Sequence, residues 1–119
     1  MKLIIAGGRE FNDANLMRDE LNKLVIGHGL KRGDIEVVCG LARGADNLGK
    51  QLAEARGIKV AEFPADWDTH GKSAGYKRNE QMAHYADTLI AFWDGESRGT
   101  QHMITLASKL GLEVKVVRY

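Results

Sequence analysis

The chain has 119 residues, 44% of them hydrophobic and 28% charged, with 17 Lys and Arg against 16 Asp and Glu for a net charge of +1. That length suits one globular domain burying roughly two-thirds of its unfolded surface, and the balanced charge excludes a global attraction to polyanions, so any anion site has to be local. A single cysteine, Cys39, excludes an intramolecular disulfide framework or a cysteine zinc cluster.

No stretch approaches the ~18 apolar residues of a membrane span, and Met1-Lys2 runs straight into Leu3-Ile4-Ile5-Ala6 without a signal-peptide pattern. A cytoplasmic protein with no membrane partner is expected.

The first apolar run, Lys2–Ala6, is followed by Gly7-Gly8 and reads as a buried strand. From Asp13, a plausible N-cap, Leu16, Met17, Leu21, Leu24 and Val25 recur at helical spacing, with Gly27 and Gly29 suited to the end. A second strand follows at Ile35–Cys39, then a helix over Asp46 to Arg56, with Leu48, Leu52 and Ala53 on one face and Gly57 as its stop. The third strand is Lys59–Phe63. A helix over about Lys77 to Tyr85 leads to the fourth strand, Asp87–Trp93. The last helix, Thr100 to Leu110, places Met103, Ile104, Ala107 and Leu110 inward, and Gly111 separates it from the strand Glu113–Val117. Strands alternating with helices of these lengths predict right-handed βαβ crossovers. The expected fold is α/β: a single three-layer, doubly wound domain over residues 1–119 with a five-stranded, mostly parallel sheet.

Ligands of such folds lie outside the carboxyl ends of the strands, which directs attention to the corners after each strand. Gly7-Gly8-Arg9 follows the first, Gly40 to Asp46 the second, Asp66-Trp67 through Gly75 the third, and Asp94 to Thr100 the fourth. Glycines let backbone N–H groups approach a ligand, and a helix N-terminus carries about half a positive charge, so phosphate is the natural guest. Arg9, Arg43 and Arg98 fall in these corners and Arg78 at a helix start; guanidinium forks pair bidentately with phosphate. Asp46 is expected to cap its helix, the alternative being acceptance of hydrogen bonds from ribose hydroxyls. Trp67 and Trp93 end strands, where they either close the core or stack on a base. Lys72 lies in a glycine-rich loop within reach of a phosphate. Cys39 reads as a small core hydrophobe, and His102 as exposed. Neither GxGxxG nor GxxxxGK[ST] occurs, no histidine pairing suggests a metal, and no cofactor is expected.

The stretches AGGREF (6–11), CGLARGAD (39–46), FPADW (63–67), HGKSAGYKRNEQM (70–82) and DTLIAFWDGESRGTQHMI (87–104) together resemble the YspA/cpYpsA-related branch of the SLOG superfamily. That superfamily comprises Rossmann-like domains related to the LOG phosphoribohydrolases and the DNA-processing protein DprA. The resemblance covers nearly the whole chain. It implies a Rossmann-like domain binding a nucleotide or nucleotide-derived ligand, with Gly7, Gly8 and Arg9 on the first corner and Gly40, Arg43 and Gly44 on the second. Arg78 falls on the position of the LOG catalytic arginine, and Gly99-Thr100 on the GT that holds phosphate in PGGxGTxxE. Asn79, Asp94, Gly95, Ser97 and Arg98, in or beside those stretches, complete the candidate ligand-binding set with Asp46, Trp67 and Lys72. LOG relatives also assemble as dimers, so a homodimer is implied.

Two departures bear on chemistry. The paired glycines of the LOG motif are replaced by Glu96-Ser97, and the catalytic glutamate position holds Met103. Cleavage of an N-glycosidic bond through an oxocarbenium-like transition state needs a carboxylate, which Met103 cannot supply. Three readings stay open. The first is a nucleotide sensor or processing module. The second is a hydrolase of nucleoside 5′-monophosphates, with Arg78 steadying the phosphate or leaving group and Glu96 as the acid, ahead of Asp94 and Glu80. The third and weakest is single-stranded DNA binding like DprA, since the chain shows no basic stripe with interleaved aromatics.

Overall fold

The computed structural model describes residues 1–119. Five strands, β1 (Lys2–Gly7), β2 (Glu36–Cys39), β3 (Lys59–Glu62), β4 (Thr88–Trp93) and β5 (Glu113–Arg118), pair in the order β3-β2-β1-β4-β5, every pair parallel. The chain winds outward from β1 to one edge, then returns past β1 to build the other half. The order therefore reverses between β1 and β4, where Ile5 lies opposite Ile90 and Gly7 opposite Phe92. The expectation of a mostly parallel sheet understated it: no antiparallel pair is present.

Because strand side chains alternate, one apolar run supplies both faces of the sheet. Leu3 and Ile5 join Val37, Ile90 and Phe92 beneath α1 (Ala14–Gly27) and α2 (Ala45–Ala55). Ile4 and Ala6 join Val38, Leu89 and Ala91 beneath α4 (Ala74–Tyr85) and α5 (Arg98–Lys109). Met103 is buried in this second cluster and Cys39 is fully buried at the end of β2, as their sequence context suggested. Burial pushes the Cys39 thiol up to about 11, leaving it an inert packing group. No helix is long and apolar enough to cross a membrane.

Helix α1 starts where expected: the Asp13 carboxylate accepts the Leu16 N–H at 3.0 Å. Asp13→Ala removes that bond and should lower stability by about 1 kcal/mol in urea denaturation. Helix α4 begins a turn earlier than its apolar spacing indicates. The preceding segment, read as a loop, contains a one-turn helix α3 (Trp67–His70) and a 3-10 turn at Gly71–Ser73. The Asp66 carboxylate accepts the Thr69 N–H at 3.1 Å and stops this short segment from unravelling.

Candidate functional site

A cavity of about 760 Å³ opens at the carboxyl end of the sheet, over the β1/β4 reversal. Its floor is made where the first two corners touch. The Ala45 N–H donates to the Gly8 carbonyl at 3.2 Å, and Gly44 holds φ +84° as the residue preceding α2. A Cβ on Gly44 would strike the Gly8 carbonyl oxygen and approach the Arg9 carbonyl oxygen to 2.6 Å. Gly44 thus lets the corners interlock without itself lining the cavity. Leu41, one residue past Gly40, also holds a left-handed φ of +61°, a conformation unfavourable for a branched side chain and maintained by the surrounding corner.

Asp46 differs from its predicted role. Gly44 takes the capping position and no side chain caps the helix. Asp46 instead sits in the first turn of α2, where the backward tilt of the Cα–Cβ bond carries the carboxylate toward the strand ends. It is only 5% exposed and lines the cavity. Burial lifts its pKa from the ordinary 3.8 to about 6, opposed by the Arg78 guanidinium and by the N–H groups of Ala42, Gly40 and Gly7.

Arg78 reaches the cavity from α4. Its Nη1 donates to the Gly40 carbonyl and its Nε to Asn79 Oδ1 at 3.3 Å. Gly40 has no side chain because the guanidinium occupies the space a Cβ would take. Asn79, itself buried, donates through Nδ2 to the Gly99 carbonyl at 3.3 Å and lies 3.1 Å from His102 Nδ1. One amide side chain therefore ties Arg78 to the β4–α5 corner. His102, expected at the surface, is half-buried against Tyr76 (ring centroids 4.5 Å apart), and desolvation lowers its pKa, favouring the neutral ring.

At that corner the Asp94 Oδ1 accepts the N–H groups of Glu96 and Ser97, both at 2.8 Å, and these bonds hold its pKa below the usual carboxylate range. No side chain caps α5 and no acidic residue lies in its first turn, so the first amides of the helix have no partner of their own. Ser97, Gly99 and Thr100 line the cavity there, and Met103 lies at its base.

Most of the residues proposed from sequence meet at this cavity, including Gly7, Gly8, Arg9, Arg43, Trp67 and Lys72. Four do not. Arg98 and Glu96 are exposed and do not line it, Gly95 lies against the Arg118 guanidinium outside the lining, and Gly44 shapes the floor without lining it. Glu96 is therefore not placed to act as an acid in the cavity. Trp93 is also outside: its Nε1–H donates to the Ser97 carbonyl at 3.1 Å and Arg118 covers its ring. Sequence reading missed Glu10, which pairs with Arg43 at 2.7 Å, and the aromatic residues Tyr76 and Tyr119. Tyr119 packs edge-on to Phe11, with its hydroxyl in the space a side chain at Gly8 would need. No group of three or more His, Cys, Asp or Glu side chains is arranged to hold a metal ion.

The profile of the YspA, cpYpsA-related SLOG family matches residues 1–70. The chain belongs to this family. Gene 61 protein of Mycobacterium phage D29 is 34% identical over 123 residues, spanning 95% of this chain and 93% of that protein. No solved structure matches the chain. In this SLOG domain the profile-matched span carries the first two corners, Asp46 and Trp67. Arg78, Asn79 and the β4–α5 corner lie beyond it, within the reach of the phage relative.

Proposed function

We propose that the chain binds a nucleotide or nucleotide-derived ligand in the cavity at the carboxyl end of the sheet, acting as a sensor or processing module. The observation that carries this reading is the cavity itself. It has the volume of a small-molecule site, lies at the strand-order reversal and combines glycine-lined corners with Arg78. Within it the two helix N-termini are unequal. That of α2 already has the Asp46 carboxylate in its first turn, whereas α5 has no side-chain cap and no acid in its first turn, the nearby Asp94 being occupied by the N–H groups of Glu96 and Ser97 ahead of it. Phosphate accordingly belongs at α5, on Gly99 and Thr100. Trp67, 53% exposed at the mouth, offers an indole face to the base.

A thermal-shift titration with nucleoside mono- and diphosphates tests the reading. A ligand at 100 times its dissociation constant adds ~2.7 kcal/mol of stability, a rise of about 10 °C for a domain of this size. No rise with any nucleotide overturns it.

Hydrolysis of the N-glycosidic bond is the second reading, favoured by the position of Arg78 in the cavity. Met103 at the cavity base, in the place of the LOG glutamate, stands against it. Release of free base from a nucleoside monophosphate, followed by chromatography, decides between the two.

A further inference from the structure

We infer that Asp46 makes this site selective for ribonucleotides over 2′-deoxyribonucleotides, its carboxylate accepting a hydrogen bond from the ribose 2′-hydroxyl. This rests on the nucleotide-binding reading and specifies the sugar. The carboxylate is almost wholly buried yet lines the cavity. Arg78, the cation acting on it, donates to the Gly40 carbonyl and Asn79 Oδ1 and makes no hydrogen bond to it. The N–H groups of Ala42, Gly40 and Gly7 face it, but an ionised carboxylate has about four lone-pair positions to satisfy. The N–H groups meet up to three of these positions from the chain side, and the part of the carboxylate that opens to the cavity is left to accept a donor from the ligand.

What that donor is follows from the neighbours. A phosphate would be repelled by Asp46. A ligand cation would meet Arg78 beside it and Arg9 and Arg43 across the same floor. That leaves neutral donors. A base could supply N–H groups, but the side chains suited to stack a base, Trp67 and Tyr76, are exposed at the mouth. With phosphate at α5 and the base at the mouth, the sugar crosses the floor, and its 2′-hydroxyl supplies the donor for the position left open.

The test measures affinity for the four ribonucleoside 5′-monophosphates and their 2′-deoxy counterparts by calorimetry, on the natural protein and on Asp46→Asn. Hydrogen bonds to a charged group set the scale. The ribo form should bind roughly 10- to 100-fold more tightly than the deoxy form, and in Asp46→Asn the two should come within about 3-fold. Equal binding of ribo and deoxy forms to the natural protein overturns the inference and leaves the nucleotide site standing. So does discrimination that survives in Asp46→Asn. Absence of binding by any of the eight overturns the inference, and the nucleotide-binding reading falls with it only if nucleoside diphosphates give no thermal shift either. If Asp46→Asn does not fold, the ribo-to-deoxy ratio on the natural protein decides.

Discussion

Asp46→Asn should raise the melting temperature of the ligand-free protein by about 5–10 °C at about pH 7.5. Folding moves this carboxyl from water, where its pKa is 3.8, to a site where it is about 6. A displacement of that size disfavours the folded state by about 3 kcal/mol once the group is ionised in both states. Because the folded pKa is the higher one, the folded protein binds more protons than the unfolded chain between about pH 4 and 6. Stability is therefore lost as pH rises through that window, and the loss is complete above it. Asparagine has the same shape and no charge; allowing for its imperfect fit to the surrounding N–H groups, about 2 kcal/mol should be recovered. The advantage should vanish near pH 4, where the natural side chain is protonated. A variant less stable than the natural protein at neutral pH would show that the N–H groups and Arg78 more than offset the burial. A side chain that weakens its own fold is best understood through what it binds, and the gain in stability should come with loss of the ribo preference.

Two glycines four residues apart in the same corner should give opposite results. At Gly40 an added methyl meets only the end of the Arg78 side chain, which can swing aside. Gly40→Ala is expected to fold with a stability loss under about 1 kcal/mol, because no backbone has to move. It should nevertheless weaken nucleotide binding by about 10- to 100-fold, as Arg78→Ala should, because the guanidinium leaves its position. At Gly44 the methyl meets main-chain atoms of Gly8 and Arg9, and φ is +84°. Gly44→Ala should lose about 2–4 kcal/mol in urea denaturation, from backbone strain plus separation of the first two corners. Equal destabilisation by the two substitutions would mean that Arg78 is fixed in place, part of the scaffold and not a movable ligand contact.

The strands and the face of each helix could be read from residue types alone, because apolar runs between glycines have few other uses in a parallel sheet. The second corner could also be located: Gly40, Arg43, Gly44 and Asp46 all meet at the β1/β2 junction. Direction was harder. Arg98 and Thr100 are two residues apart in the first turn of α5, yet only Thr100 faces the cavity, and a motif does not report this rotation about the helix axis. For Asp46, residue type suggested a cap, but the left-handed Gly44 shifted the helix start and turned the carboxylate inward. Tyr76, Tyr119 and Glu10 reach the cavity through packing between distant segments, for which no local pattern exists.

The lining of the cavity includes four cationic side chains, Arg9, Arg43, Lys72 and Arg78, and three carboxylates, Glu10, Asp46 and Asp94. One of the cations is already engaged, Arg43 with Glu10. The site thus presents little net field to the surrounding solution. Affinity for a small phosphorylated guest should fall only a few-fold between about 50 and about 300 mM salt, since its selectivity comes from contacts shorter than the screening length. A nucleic-acid strand, whose attachment relies on releasing many condensed counterions, would instead lose affinity steeply over the same range.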